Sequence, residues 1–192
     1  DKIYEIQFNM PGEHNVLNCL AALAVSRELG ISVKSIQKSL KNFPGIKRRF
    51  EVLGSYKTKG KCFMWIDDYG HHPTEVMAVI NTVRDIWPES KLIMVYQPHR
   101  YTRTAELFNE FVSVLSLVDE LILLDVYSAG EKKIAGATSF DLIKAIEMNK
   151  DFKVKHARDV KESIDTLESV CRAEDIVLVQ GAGSVSLVSR AL

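Results

Sequence analysis

The hydrophobic and polar positions change rhythm twice along this chain. Residues 2–8 (KIYEIQF) alternate with a period of two, which predicts a half-buried strand, and Pro11-Gly12 predicts a turn after it. From Asn15 the period lengthens. Val16, Leu20, Leu23 and Ala24 fall on one wide apolar stripe, predicting a helix that ends near Gly30. Residues 33–42 read as a second, shorter helix. Phe43-Pro44-Gly45 then breaks the pattern and predicts a domain boundary, with 1–45 on one side and 46–192 on the other.

Beyond that break, strand-like residues 48–56 and 61–67 flank 57–60, the spacing of a hairpin. Helical patterns over 74–87, 104–117, 138–148 and 159–171, with a last one from Ser184, then alternate with apolar strands at 91–96, 120–126, 152–156 and 175–180. Continuously apolar strands spaced by amphipathic helices predict an α/β fold: a mostly parallel sheet with helices on both faces. Ligands of such sheets bind beyond the carboxyl ends of the strands. Four of those ends lead into loops rich in reactive side chains, at 67–73, 97–103, 127–131 and 181–184. The opposite turns, 88–90, 149–151 and 172–174, are plain and polar. One edge of the sheet is therefore expected to carry one site.

Composition narrows the classes. Of 192 residues, 46% are hydrophobic and 26% charged, a balance expected of a globular chain. The 25 basic and 25 acidic residues cancel, so no long-range field draws the chain to nucleic acid or to an anionic membrane face. No apolar run is long enough to cross a bilayer, and the opening residues do not read as a signal peptide. Cys19, Cys62 and Cys171 are scattered, odd in number and set in apolar runs, which predicts buried thiols and a cytoplasmic setting. The chain opens on Asp1 and runs directly into a strand-like segment, so it is expected to be a piece of a longer protein.

Two familiar-looking motifs fail on spacing. Between Gly54 and Gly60-Lys61 stand five residues where a phosphate-binding loop needs four, and Cys62 takes the place of its Ser or Thr. Gly181-Ala-Gly183-Ser-Val-Ser186 lacks the third small residue of a dinucleotide fingerprint, and reads as a tight strand-to-helix turn. His71, His72 and His99 have no carboxylate or third imidazole at metal-ligand spacing, and Pro73 reads as the first residue of a helix, so no metal site is expected.

Three groups remain. Arg100 and Arg103 lie three apart at a helix start, beside His99, and form a clamp for a carboxylate or a phosphate unless they are merely a solvated helix end. Asp67 and Asp68 follow a buried strand. Adjacent carboxylates on an extended chain point opposite ways, so one caps a turn while the other faces a ligand. His14, Asn15 and Asn18 sit at i, i+3 and i+4 spacing near one helix face, where an imidazole and two amides suit a purine base or, more simply, cap the helix.

The stretches 11–22 (PGEHNVLNCLAA), Arg48-Arg49-Phe50, 67–75 (DDYGHHPTE), 97–104 (QPHRYTRT) and 127–131 (YSAGE), in this order, resemble the Mur ligases over essentially the whole chain. That resemblance implies an enzyme of three domains: one for a UDP-sugar, a central ATPase domain, and a Rossmann-like C-terminal domain. Residues 1–45 would be the tail of the central domain and 46–192 the C-terminal domain. It implies ATP with Mg2+, phosphorylation of the carboxylate of UDP-N-acetylmuramate, and attack by an amino-acid amine to form an amide. The 97–103 loop looks like that of members that add L-alanine; members that recycle a whole tripeptide share the HHP turn. A non-catalytic nucleotide-binding module is the alternative from another class. By position, His14, Asn15 and Asn18 would face adenine, Arg49 the phosphates and Asp68 the ribose. Tyr69, His71, His99, Arg100 and Arg103 would surround L-alanine. The main catalytic groups, the phosphate-loop lysine and most Mg2+ ligands are expected outside this stretch, so the chain alone is not expected to turn over.

Overall fold

A computed structural model describes residues 3–58, 61–149 and 153–191. The chain opens with two helices, α1 (Glu13–Glu28) and α2 (Val33–Lys41). Then β1 (Glu51–Thr58) and β2 (Lys61–Asp68) pair antiparallel, as the hairpin spacing predicts; the tip at 59–60 lies outside the described residues. The rest alternates: α3 (Pro73–Ile86), β3 (Leu92–Tyr96), α4 (Tyr101–Glu106), α5 (Phe108–Leu115), β4 (Glu120–Leu124), α6 (Ser139–Asn149), β5 (Lys155–Ala157), α7 (Val160–Val170) and β6 (Ile176–Gln180). A 3-10 turn (Ser184–Leu187) and α8 (Val188–Ala191) close it.

The six strands form one sheet in the order β1-β2-β6-β3-β4-β5, parallel from β2 to β5. Because side chains alternate across a strand, each apolar strand feeds two cores. Leu92, Met94, Leu121, Leu123, Ile176 and Leu178 face α3, α5 and α6. Ile93, Val95, Ile122, Leu124, Val177 and Val179 face α7 and the C-terminal helical segment. The chain steps from β2 through β5 with helices on the first face, then returns to lay β6 between β2 and β3 with its helix on the second. That reversal opens a crevice at the carboxyl ends of β2, β6 and β3.

Three expectations need correction. Residues 3–8 form no strand. Their alternation is real, since Ile6, Phe8 and Met10 turn inward while Glu5, Gln7 and Asn9 face out, but no strand lies beside them. Hydrogen bonds to α2 hold the segment instead: Gln37 Nε2 of α2 donates to Glu5 O at 2.8 Å, and Asn9 Nδ2 donates to Lys41 O of α2 at 3.0 Å. The stripe read on α1 is not its packed face, because Val16 and Leu20 are more than half exposed while Asn15 and Cys19 are buried. The helix expected over 104–117 begins at Tyr101 and is interrupted at Leu107 (φ −114°).

Candidate functional site

The floor of the crevice is Asp68, at the end of β2. Its Oδ2 accepts from Phe50 N at 2.8 Å, and its Oδ1 accepts from Gly70 N and from Gln180 Nε2, both at 2.7 Å. One carboxylate thus ties together the segment before β1, the loop after β2 and the end of β6. Burial pushes its pKa up, against the pull of these hydrogen bonds. A carboxylate offers about four acceptor positions, so little is left over for a ligand. Asp67 points the other way, as adjacent residues on a strand must, and Arg48 Nε reaches it at 3.3 Å. Burial raises the Asp67 pKa too, with Arg48 opposing. Arg48 also donates to Gly181 O at 2.5 Å and lies 5.0 Å from the centre of the Tyr69 ring. Arg48 and Phe50 both adopt positive φ, 58° and 47°, strain that this web of bonds holds in place.

A cavity of about 370 Å³ opens above this floor, lined by His14, Asn18, Arg49, Asp68, Tyr69 and the first turn of α3. A second, more apolar cavity of about 320 Å³ adjoins it, lined by Phe8, Met10, Cys19 and Phe43. Asn18 and Arg49 belong to both. Asn15 lines only the second, and its Nδ2 donates to Pro11 O at 2.7 Å. So His14, Asn15 and Asn18 do not meet in one cavity. Successive helical residues are rotated by roughly 100°, which turns 14 and 15 to different sides. The start of α1 lies so close to α3 that a Cβ at Gly12 (φ +94°) would stand 2.6 Å from Thr82 Oγ1. Only glycine lets His14 approach.

On the β3 side, Arg100 caps α4 with φ 74°, an unusual angle for a side chain this large. Its N–H donates to Tyr127 O at 2.8 Å, and Tyr127 N donates to Pro98 O at 2.8 Å. These bonds place the His99 ring flat against Tyr127, centroids 5.4 Å apart and planes 11° apart. Arg103 Nη1 lies 3.3 Å from His99 O and 3.4 Å from its Nδ1. His71 stands 5.7 Å from His99 and edge-on to Tyr69 at 5.4 Å. Burial, together with His71, Arg103 and Arg100, holds the His99 pKa below the ordinary 6.5, favouring a neutral ring. Glu131 accepts from Thr102 N at 3.0 Å and from its hydroxyl at 2.8 Å, and lies 3.7 Å from Arg100.

All five residues expected at the amino-acid end therefore share this corner. Four that composition and spacing did not single out join the site: Arg48, Glu75, Tyr127 and Glu131. The His72…Glu75 spacing is a capping-box signal, and Glu75 Oε2 does accept from His71 N at 2.9 Å and His72 N at 3.1 Å. Arg48 had no local signal, because its partners lie far along the chain. Among the described residues no three His, Cys, Asp or Glu converge to hold a metal ion. No helix among them is long and apolar enough to cross a membrane.

Residues 48–183 match the family model described as Mur ligase, glutamate ligase domain. A UDP-N-acetylmuramate–L-alanine ligase of Methylococcus capsulatus is 46% identical over 188 residues, 98% of this chain and 40% of the relative. The chain thus spans about 40% of the length of that curated relative. Among solved structures, the UDP-N-acetylmuramate–alanine ligase of Thermotoga maritima superposes with TM-score 0.75 at 25% identity, over 100% of this chain and 39% of that one. The bifunctional folylpolyglutamate synthase/dihydrofolate synthase of Yersinia pestis, solved with AMPPNP and a Mn ion, shares the fold. Its TM-score is 0.67 at 16% identity, over 100% of this chain and 42% of that one.

Proposed function

The chain belongs to the Mur ligase family, and from that premise we propose that its parent protein joins L-alanine to UDP-N-acetylmuramate at the expense of ATP. Such an enzyme would serve peptidoglycan synthesis in the cytoplasm, and through it cell shape and division. The domain division expected at residues 45–46 is part of this proposal, and the family match beginning at residue 48 supports it. The observation that carries the reading is a pair of adjoining cavities that runs from α1 and α2 to Asp68 and Tyr69 at the sheet edge, the edge that also carries a guanidinium pair beside a neutral-leaning imidazole.

In this reading the purine enters the apolar cavity against Phe43, meeting Asn15 and Asn18. The rest of the nucleotide extends past Arg49 into the larger cavity, where His14 and Asp68 lie. Arg49, on the shared wall, answers phosphate charge. Mg2+ would neutralise the triphosphate, most of its protein ligands lying outside this stretch of chain. At the other end Arg100 and Arg103 hold the amino-acid carboxylate, with Tyr69, His71 and His99 beside it.

The test is an assay of the full-length parent with ATP, UDP-N-acetylmuramate and one of L-alanine, glycine, L-serine or a muramyl tripeptide, following phosphate release and nucleotide-sugar product. L-Alanine is expected to give the highest kcat/KM. Preference for the tripeptide would transfer the chain to the recycling branch, and nucleotide binding with no product would leave only a binding module.

A further inference from the structure

The loops after β2 and β3 bring two imidazoles together, and their ring nitrogens differ. His71 Nδ1 lies 3.1 Å from Tyr69 O. A carbonyl can only accept, so Nδ1 carries the proton and the neutral ring keeps its lone pair on Nε2. His99 Nδ1 faces Arg103 Nη1 at 3.4 Å. A guanidinium can only donate, so here Nδ1 accepts and the neutral ring's N–H sits on Nε2. The rings are 5.7 Å apart and of opposite polarity. Glu75 adds a second asymmetry. Its Oε2 is pinned by two backbone N–H groups and stands 3.7 Å from His71 Nδ1. A carboxylate on that side favours the imidazolium that forms when Nε2 takes a proton, the logic of acid–histidine dyads.

We propose that His71 is the general base of the amide-forming step and that Glu75 is the residue that positions it. This inference rests on the ligase function proposed above. An amino acid arrives with its nitrogen as an ammonium, which has no lone pair for attack. One proton passes to His71 Nε2, leaving an imidazolium beside Glu75. The freed lone pair forms the C–N bond at the carbonyl carbon of the muramyl acyl phosphate. The C–O bond to phosphate breaks, its electron pair leaves with the phosphate, and the second amine proton departs on that group as hydrogen phosphate. His71 then returns its proton to solvent; its side chain is 23% exposed. The charged and titratable groups around the ring are Glu75 and His72 on its own turn and on α3, and Tyr69 beneath Arg48. Across the crevice stand His99 and, beyond it, Arg100 and Arg103.

The experiment compares two nucleophiles in the full-length enzyme with ATP and UDP-N-acetylmuramate. L-Alanine must lose a proton before attack. Hydroxylamine is already uncharged at neutral pH and traps the acyl phosphate as a hydroxamate without a base. In His71→Asn, whose amide N–H can still reach Tyr69 O, the ratio of ligation to hydroxamate formation should fall about 100-fold, the low end for a general base. Ligation by this variant should recover as pH rises and the amine deprotonates in solution. Glu75→Gln should lower the ratio of ligation to hydroxamate formation in the same direction as His71→Asn but by less, because the ring keeps its nitrogen and loses the carboxylate 3.7 Å away that positions it. A His71→Asn variant in which both nucleophiles decline equally, or in which the pH profile of ligation is unaltered, would overturn the base assignment. Absence of hydroxamate with the wild type would instead overturn the ligase function beneath it.

Discussion

In α1 only Asn15 and Cys19 are buried over sixteen residues, whereas every position of β3 and of β6 is buried. Both regions are rich in apolar side chains. The difference lies in coverage. The strands are enclosed by helices on both faces, while α1 touches α2, α3 and the 6–10 segment and leaves Val16, Leu17, Leu20 and Val25 more than half exposed. An apolar periodicity therefore announces a helix without announcing which side will be packed. The site is assembled across this contrast, with a well-packed sheet edge supplying the Arg100–Arg103 guanidinium pair and a sparsely packed helix supplying one wall of the cavities.

The strongest challenge to that contrast is a matched pair of truncations in this 192-residue chain. Leu178→Ala, which empties space at the centre of the sheet, should cost about 2–5 kcal/mol in denaturant unfolding. Leu17→Ala on α1, where the side chain is 60% exposed, should stay within about 0.5 kcal/mol. Equal losses would mean that the two regions are packed alike. A second pair separates the site's halves in the full-length enzyme. Arg103→Ala should lower kcat/KM for L-alanine about tenfold to hundredfold, since hydrogen bonds to a charged group are worth roughly 1.5–3 kcal/mol. ATP kinetics should change far less. Asn18→Ala should do the reverse. If Arg103→Ala harms ATP use as much as alanine use, the arginine serves phosphate or structure instead.

Smaller in effect is the joint between the regions. Pro44 cannot continue α2, and Gly45 has φ +87°, so we propose residues 43–46, the domain boundary expected from the sequence, as a hinge. Asn18 lies before it and Arg49 and Asp68 after it, all on one cavity. A nucleotide bridging them should favour the closed state by its differential affinity. Limited proteolysis of the full-length protein should cut in 43–46, several-fold more slowly with ATP and UDP-N-acetylmuramate present. An unchanged rate at saturation would move the hinge elsewhere.

The smallest effect is a pH dependence. The His99 pKa is held below 6.5, so His99 contributes stability fully above that value and loses it as pH falls from 6.5 through the folded-state value. The Tm of His99→Gln should therefore decline less than that of the wild type between about pH 7 and pH 5. Parallel declines in the two proteins would show that the loss arises elsewhere on the sheet edge.

Much of this was legible beforehand. Strands 91–96, 120–126 and 175–180 appear within a residue or two of their expected ends, because a buried parallel strand must be apolar throughout. Pro73 opens α3, and the four loaded loops do converge on one edge. What could not be read depends on partners distant in sequence. Nothing near residue 180 announces that β6 will lie between β2 and β3, or that Gln180 will bind Asp68, 112 residues away. The segment 3–8 has the alternation of a strand and lacks only a neighbour.

The amino-acid sequence by itself determined the alternation of elements, the neutral charge balance and the residue types gathered at one sheet edge, since these follow from local periodicity and composition. Tertiary structure alone decided that Asp68 would be used mainly as a clasp, that Asn15 and His14 would open onto different cavities, and that the His71 and His99 rings would stand 5.7 Å apart. The physical reason is the same in each case. A side chain's chemistry is completed by the group it meets, and Arg48 and Gln180 reach Asp67, Gly181 O and Asp68 only once the sheet has closed.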